Sequence, residues 1–424
     1  MKICMFTNTY LPHVGGVARS VSTFAADLRQ AGQQVLVVAP TYEGEINDPA
    51  DESHVLRVPA IQHFNGSDFS VYLPLPGLVA DKLREFKPDI IHSHHPFLLG
   101  DVALRAARRQ DLPIVFTHHT RYEQYTHYVP FDSEPLKRFV INLSTEYANL
   151  CSRVIAPSDG IKQLLAQRGV TTPVTVLPTG IDLELLGGGN RERWRQRYGI
   201  AADTRVIGHL GRLAQEKNLP FLAEAAAAYL QKDRQAVFVV AGNGEAEQEI
   251  REIFATADLG ERLIMPGIQQ KDELADCYAA MDLFVFASRS ETQGLVLAEA
   301  MAAGVPVVAM QATGVDDVVE EGGNGRILPA TSTAAEFAAA IEEALSPANL
   351  AAWSRRARQT ASGFSRQHCA AELLALYGEL VTEKPPATGT DTLDGVRRKL
   401  KTEWELLQQK TAAVKHSLEE PPGE

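Results

Sequence analysis

Glu291 and Glu299 stand eight positions apart, the first in a polar turn and the second inside a helix-like segment that opens near Gly294. A helix starting there offers free backbone N–H groups and the positive end of its dipole, a seat for a phosphate. At about 1.5 Å of rise per residue the carboxylates would lie roughly 10 to 12 Å apart. That reach suits a nucleotide-sugar lying across the helix start, one carboxylate accepting from sugar hydroxyls and the other from ribose hydroxyls. Arg212 and Lys217 are two cations five positions apart behind a strand-like run that ends in Gly211. Charge-assisted donors of that kind suit a diphosphate leaving group. Gly15 and Gly16 would let backbone N–H groups approach a ligand at another helix start. Taken singly, each group has a plainer reading: a solvated ion pair, an exposed loop pair, a tight turn.

Nine of the twelve histidines precede residue 128, and His92, His94, His95, His118 and His119 gather behind two strand-like runs. Strand ends are where open α/β sheets bind ligands. A metal site would want an H-E-x-x-H or carboxylate-assisted pattern, and none accompanies them. No D-x-D triplet occurs, so the usual metal clamp for a sugar diphosphate is missing and no cofactor is expected.

These residues need strands and helix starts to hold them. The run 283–287 is short and wholly apolar, as in a doubly covered parallel sheet. Polar residues 288–293 follow, then a helix from about 294 that ends before Gly304, then a second apolar run after Pro306, which together make one βαβ unit. Further strands are expected at 2–7, 35–39, 89–93, 114–117, 154–157 and 174–178 in the first half, and at 205–210, 237–241 and 263–266 in the second. Helices are expected at 18–31, 136–150, 272–278 and 365–382. Neither a G-x-G-x-x-G nor an acidic residue closing the second strand is present, which disfavours a nicotinamide-dinucleotide unit.

A chain of 424 residues exceeds one ordinary core and fits two domains of about 180 residues. Its hydrophobic content of 45% and charged content of 22% are those of a globular protein. No run of 18 apolar residues occurs, and a strand begins at Lys2, so neither a membrane span nor a leader is expected. Four scattered cysteines argue for a reduced, cytoplasmic protein. The net charge of −12 speaks against nucleic acid as a partner. Residues 1–183 hold 16 Lys+Arg against 18 Asp+Glu, so nearly all the acidity lies later and the first half is better suited to an anionic surface. Arg105, Arg108, Arg109, Lys137 and Arg138 could form a basic patch for anionic headgroups or a solvated face.

The stretch ETQGLVLAEAMAAGVPVVA resembles the donor-site signature of the retaining glycosyltransferases of GT-B architecture, in particular glycosyltransferase family four. Gly211-Arg212 with Glu216-Lys217 matches that family's cation motif, Gly15-Gly16 its diphosphate loop, and Gly242-Asn243-Gly244 a loop beside the nucleotide. The segment 117–130, THHTRYEQYTHYVP, places His119 where the family has a histidine facing the donor sugar, and is similar to bacterial diacylglycerol alpha-glucosyltransferases. His118 stands where those sequences usually have an aromatic. Thr292-Gln293 departs from the common Ser-Phe and matches the lipid glucosyltransferases.

The resemblance implies an α/β fold of two Rossmann-like domains facing across a cleft, with a C-terminal helix crossing back to the first. The expected divisions are 1–183 for the acceptor domain, 184–200 for a hinge around Gly187, Gly188 and Gly189, and 201–364 for the donor domain. A crossover helix at 365–383 and a linker with a mixed-charge helical tail at 384–424 would follow. It further implies His119, Glu291, Arg212 and Lys217 as catalytic residues. Gly15, Gly16, Gly242, Gly244, Thr292, Gln293, Gly294, Leu295 and Glu299 would join Arg212, Lys217 and Glu291 in binding the donor. The activity implied is retaining, metal-independent transfer of a hexose from a nucleotide-diphosphate sugar, best UDP-glucose, to a lipid such as diacylglycerol or a glycolipid. The enzyme would sit in the cytoplasm or peripherally on the inner membrane face. A sugar-nucleotide 2-epimerase of the same fold, transfer to a non-lipid saccharide, and a non-catalytic binding protein are the alternatives. The sequence leaves oligomeric state open.

Overall fold

The computed structural model describes residues 1–13, 15–42, 52–61, 71–72, 77–124, 126, 133–289, 291–383, 403–404, 407–411 and 413. Most of residues 43–77, an acidic and then Pro-, Gly- and aromatic-rich stretch, the 127–130 end of the histidine-containing segment and most of the tail lie outside the described residues. Contacts divide the chain into two compact units, Met1–Thr179 with Cys369–Glu424, and Gly180–His368.

Strands of the first unit are β1 (Lys2–Phe6), β2 (Gln34–Pro40), β3 (Val55–Val58), β4 (Ala60–Ile61), β5 (Val71–Tyr72), β6 (Ile90–Ser93), β7 (Ile114–Thr117), β8 (Arg153–Ala156) and β9 (Val174–Val176). Seven of them form a parallel sheet ordered β3-β2-β1-β6-β7-β8-β9, and β4 pairs with β5 antiparallel. The expected strands are unbroken apolar runs because the sheet is covered on both faces. Cys4, Phe6, Leu36, Val38, Ile91 and Phe116 point into one core, while Ile3, Met5, Val35, Val37, Ile90 and Val115 point into the other. The second core is completed by Cys369, Leu373, Leu376, Tyr377 and Leu380 of the helix Arg366–Glu383. Burying a Leu or a Tyr of that kind contributes roughly 1.5 to 3 kcal/mol, so this helix is integral to the first unit.

The second unit adds β10 (Val206–Leu210), β11 (Val237–Ala241), β12 (Leu263–Gly267), β13 (Leu283–Phe286), β14 (Val307–Met310) and β15 (Gly325–Leu328). They form one parallel sheet ordered β12-β11-β10-β13-β14-β15. Ile207, Phe238, Val240 and Val285 face one layer, and Val206, Val239, Phe284 and Phe286 face the other. The chain is therefore α/β, with two Rossmann-like units.

The stretch 184–200, expected as a hinge, carries most of one short helix and all of a second. Asp182 accepts from the Leu185 N–H at 3.0 Å and caps the helix Leu183–Gly187, and Asn190 accepts from the Arg193 N–H at 2.8 Å and caps Arg191–Arg197. Such caps typically contribute about 1 kcal/mol each. Both helices belong to the second unit, held by the Arg193–Asp276 and Arg195–Asp282 ion pairs and by buried Trp194. Gly189 is a packing glycine there, since a Cβ on it would fall 2.2 Å from the Ala275 carbonyl oxygen.

Two of the basic residues expected to form a headgroup patch or a solvated face are ion-paired. Arg105 forms a 2.9 Å ion pair with Glu403 of the tail, and Lys137 a 2.8 Å pair with Glu134. Lys410 reaches Asp101 at 2.8 Å and the Gln409 amide donates to the Leu143 carbonyl at 3.1 Å. The described tail residues thus dock on the first unit. No helix among the described residues is long and apolar enough to cross a membrane.

Candidate functional site

In the second sheet the strand order reverses between β10 and β13, and loops at such a switch point form the ligand crevice of open α/β sheets. The loop after β10 carries Arg212 and Lys217; the loop after β13 carries Glu291, Thr292 and Gln293. Hydrogen bonds tie the two loops together. The Arg289 N–H donates to the Glu216 carbonyl at 3.0 Å, and the Arg289 guanidinium donates to Asn218 Oδ1 at 3.3 Å. Lys217 Nζ lies 3.3 Å from Glu291 Oε2. Arg212 pairs with Glu216 one helical turn on, with its side chain about half exposed.

Glu291 is clamped from both sides. Its Oε1 accepts from the Thr292 and Gly294 N–H groups at 3.2 Å each, while Oε2 takes Lys217. Burial pushes the carboxyl up, but Lys217 and the Gly294 N–H together outweigh it and leave the pKa below the ordinary value. The group is therefore an acceptor at neutral pH. The helix Leu295–Ala302 starts at Gly294 with no side-chain cap, as a phosphate-seating helix start requires.

Glu299 lies on the buried face of that helix, with no exposed surface, and its Oε2 accepts from the Tyr278 hydroxyl at 2.8 Å. Nothing in the sequence marked Tyr278, because its partner is 21 positions away on another helix. Gly242 and Gly244 take positive φ of 133° and 157°. A Cβ on them would stand 1.8 Å from the Gly211 carbonyl and 2.3 Å from the Leu213 carbonyl. They seat the backbone of the cation loop, whose Leu213 N–H also donates to the Asn243 carbonyl at 2.9 Å. His209, likewise unmarked in the sequence, is buried in β10 and donates from Nδ1 to the Val285 carbonyl at 3.0 Å, joining the two strands at the switch.

In the first sheet the order reverses between β1 and β6. Asn8, just past β1, ties this reversal: its N–H donates to His95 Nδ1 at 3.1 Å, and its Oδ1 accepts from the Leu99 N–H at 3.1 Å. His92 Nδ1 is 2.5 Å from the Tyr377 hydroxyl and its Nε2 is 2.7 Å from Thr117 Oγ1. The His94 ring lies on His92 with centroids 4.0 Å apart, and His94 Nδ1 is 2.9 Å from His119 Nε2. Burial lowers the pKa of His92 and of His95 to about 3, and carries His94 and His119 well below the usual imidazole range. All of these rings are neutral at physiological pH. His118 is fully buried between the edges of Phe116 and Tyr122, and burial lowers it to about 4. It occupies an aromatic's place as packing. Gly15 precedes the helix Gly16–Gln30, which no side chain caps. Gly15, Gly16 and His119 belong to the first unit, and the remaining expected site residues to the second.

Comparison with known proteins extends these observations. The profile of Glycosyltransferase Family 4 matches residues 14–185, and that of Glycosyl transferases group 1 matches residues 190–360. The chain is 31% identical over 314 residues to an alpha-monoglucosyldiacylglycerol synthase of Streptococcus pneumoniae, covering 73% of this chain and 71% of that one. It is 30% identical over 346 residues to a GDP-mannose-dependent alpha-mannosyltransferase of Corynebacterium glutamicum, covering 81% and 80%. Among solved structures, Anabaena HepE in complex with UDP-glucose aligns with a TM-score of 0.70 at 23% identity, over 89% of this chain and all of that one.

Proposed function

Since this chain belongs to glycosyltransferase family 4, with the GT-B fold, we propose that it moves a glucosyl group from UDP-glucose to a lipid acceptor such as diacylglycerol or a glycolipid, with retention and without a metal. The observation that carries the donor half is the clamp on Glu291: a lysine and two backbone N–H groups converge on one carboxylate at a sheet's switch point, with Arg212 beside them in the sequence. The lipid half is supported by similarity to synthases of glucosyldiacylglycerol, together with the Thr292-Gln293 pair.

In this reading Arg212 and Lys217 offset the charge that develops on the departing diphosphate, an effect of the kind that contributes about 10²- to 10³-fold per donor. Glu291, kept ionised by its clamp, accepts from the distal hydroxyls of the sugar. Glu299 accepts from the ribose, and His119 meets a hydroxyl near the anomeric carbon. The bond between that carbon and the diphosphate oxygen breaks. The acceptor oxygen attacks from the face the leaving group departs, and its proton passes to the departing phosphate oxygen.

The test is incubation of the purified protein with UDP-glucose and diacylglycerol vesicles, with mass spectrometry of the lipid and NMR of its anomeric proton. An alpha-glucosyl lipid with one UDP released per product is expected. Nucleotide release without a lipid product, or an epimerised donor, would overturn the reading. Similarity to GDP-mannose-dependent enzymes favours mannosyl transfer as the second reading, so GDP-mannose belongs in the same assay.

A further inference from the structure

The histidine behind β6 has one hydrogen-bonding nitrogen more than its surroundings use. His94 is wholly buried, its Nδ1 faces His119 Nε2 at 2.9 Å, and its Nε2 meets no hydrogen-bond partner among the described residues. A single proton lies between two neutral imidazoles, so only two arrangements exist. If His119 Nε2 carried it, His94 would accept at Nδ1 and hold its own proton on Nε2, leaving a buried N–H with nothing to donate to. If His94 Nδ1 carries it, the orphaned atom is a bare lone pair. Buried N–H donors without acceptors are the rarer of the two defects, so the second arrangement prevails.

We propose that His94 is a positioning residue that donates from Nδ1 to His119 Nε2 and thereby fixes His119 as the Nδ1–H tautomer, presenting it to the sugar as a hydrogen-bond donor. The proposal rests on the reading of His119 as a sugar contact. It also assigns a reason for the rest of the cluster. His92 is filled at both nitrogens, by Thr117 and by Tyr377 of the helix Arg366–Glu383, and cannot turn without breaking one of those bonds. Its face is what His94 lies against, at 4.0 Å and 35°. Tyr377 and Thr117 therefore lock His92, His92 locks the plane of His94, and His94 selects the tautomer of His119. With its Nε2 engaged, His119 has no free lone pair there and acts by orientation rather than as a general base.

The full chain labelled with 15N-histidine gives the test, since ring nitrogen shifts separate protonated from bare nitrogens. The signal of His119 is assigned by its loss in His119→Gln. In the wild type Nδ1 is expected to be protonated and Nε2 bare. His94→Leu is expected to mix the tautomers and lower kcat about ten- to a hundredfold, the effect of one mis-aimed hydrogen bond, with the donor KM nearly unchanged. His94→Asn, whose amide N–H can stand where Nδ1 stood, is expected to restore both the tautomer and most of the rate. A protonated Nε2 on His119 in the wild type overturns the proposal even if His94→Leu fails to fold, and so does an unchanged tautomer in His94→Leu. A wild-type rate in His119→Gln would instead remove the sugar contact, while the NMR readout would still decide the tautomer.

Discussion

The two sheet reversals of this protein have the same topology and opposite chemistry. At the reversal of the second sheet the side chains are charged and paired: Lys217 with Glu291, Arg212 with Glu216. At the reversal of the first they are imidazoles, mostly buried and neutral, joined to one another and to Tyr377, Thr117 and Asn8. The difference follows from solvent. Arg212 is half exposed and the mostly buried Lys217 is kept charged by Glu291, and cations held in this way can exchange one anion for another, which suits a diphosphate that must arrive and leave. A charge on a buried imidazole is expensive, so the first reversal can offer only directed hydrogen bonds, which suit hydroxyl groups.

If the charged reversal serves the leaving group, removing a cation should affect rate far more than folding. Arg212→Ala or Lys217→Ala is expected to lower kcat by about 10²- to 10³-fold. Because Arg212 is half exposed, although Glu216 is mostly buried, the pair should contribute no more than about 1 kcal/mol, and the unfolding midpoint of Arg212→Ala should fall by only a few degrees. Steady-state release of UDP beside a thermal melt checks both at once. A large loss of stability with the rate intact would make these pairs structural and erase the contrast.

Gly242→Ala probes the same loop from beneath. The new methyl group would meet the Gly211 carbonyl at a backbone angle that L-residues avoid. A loss of about 2 to 4 kcal/mol in stability is expected, together with weakened donor binding measured by calorimetry. Tyr278→Phe comes next, because it strips the hydroxyl from Glu299 Oε2 inside the core. About 1.5 to 3 kcal/mol should be lost, read as a fall in the urea midpoint. Unchanged stability would mean that Glu299 does not depend on Tyr278.

What could be read from the residues, and what could not, divides along the same physical line. The strands were legible because a parallel sheet covered on both faces demands unbroken apolar runs such as 283–287. The charged reversal was legible because its partners lie on short loops with a recurrent pattern, from Gly211 to Lys217 and from Glu291 to Gly294. The imidazole chain was not, since His94 with His119, and His92 with Tyr377, join residues 25 and 285 positions apart. The glycine run at 187–189 hid two capped helices. The signal that could have found them is Asp182 and Asn190, each three residues before the N–H it accepts from.

The smallest expected effect tests the neutrality of the first reversal. His118 stays neutral in the folded protein down to about pH 4 but takes up a proton near 6.5 when unfolded. Between those values the unfolded state holds more protons, so stability present above pH 6.5 is lost as the pH falls toward 4. His92 and His95 contribute in the same direction and His209 does so in the other unit. His118→Phe removes one of these protons, so its stability should fall less steeply with acid, by up to about 1.4 kcal/mol per pH unit. Above pH 7 the substitution should be nearly neutral, since a ring already packed edge-on between Phe116 and Tyr122 loses two nitrogens that have no partner among the described residues. Urea midpoints of both proteins at pH 5 and pH 7.5 measure the difference. Equal acid slopes would mean that His118 is protonated in the folded chain, and that the first reversal, like the second, carries charge.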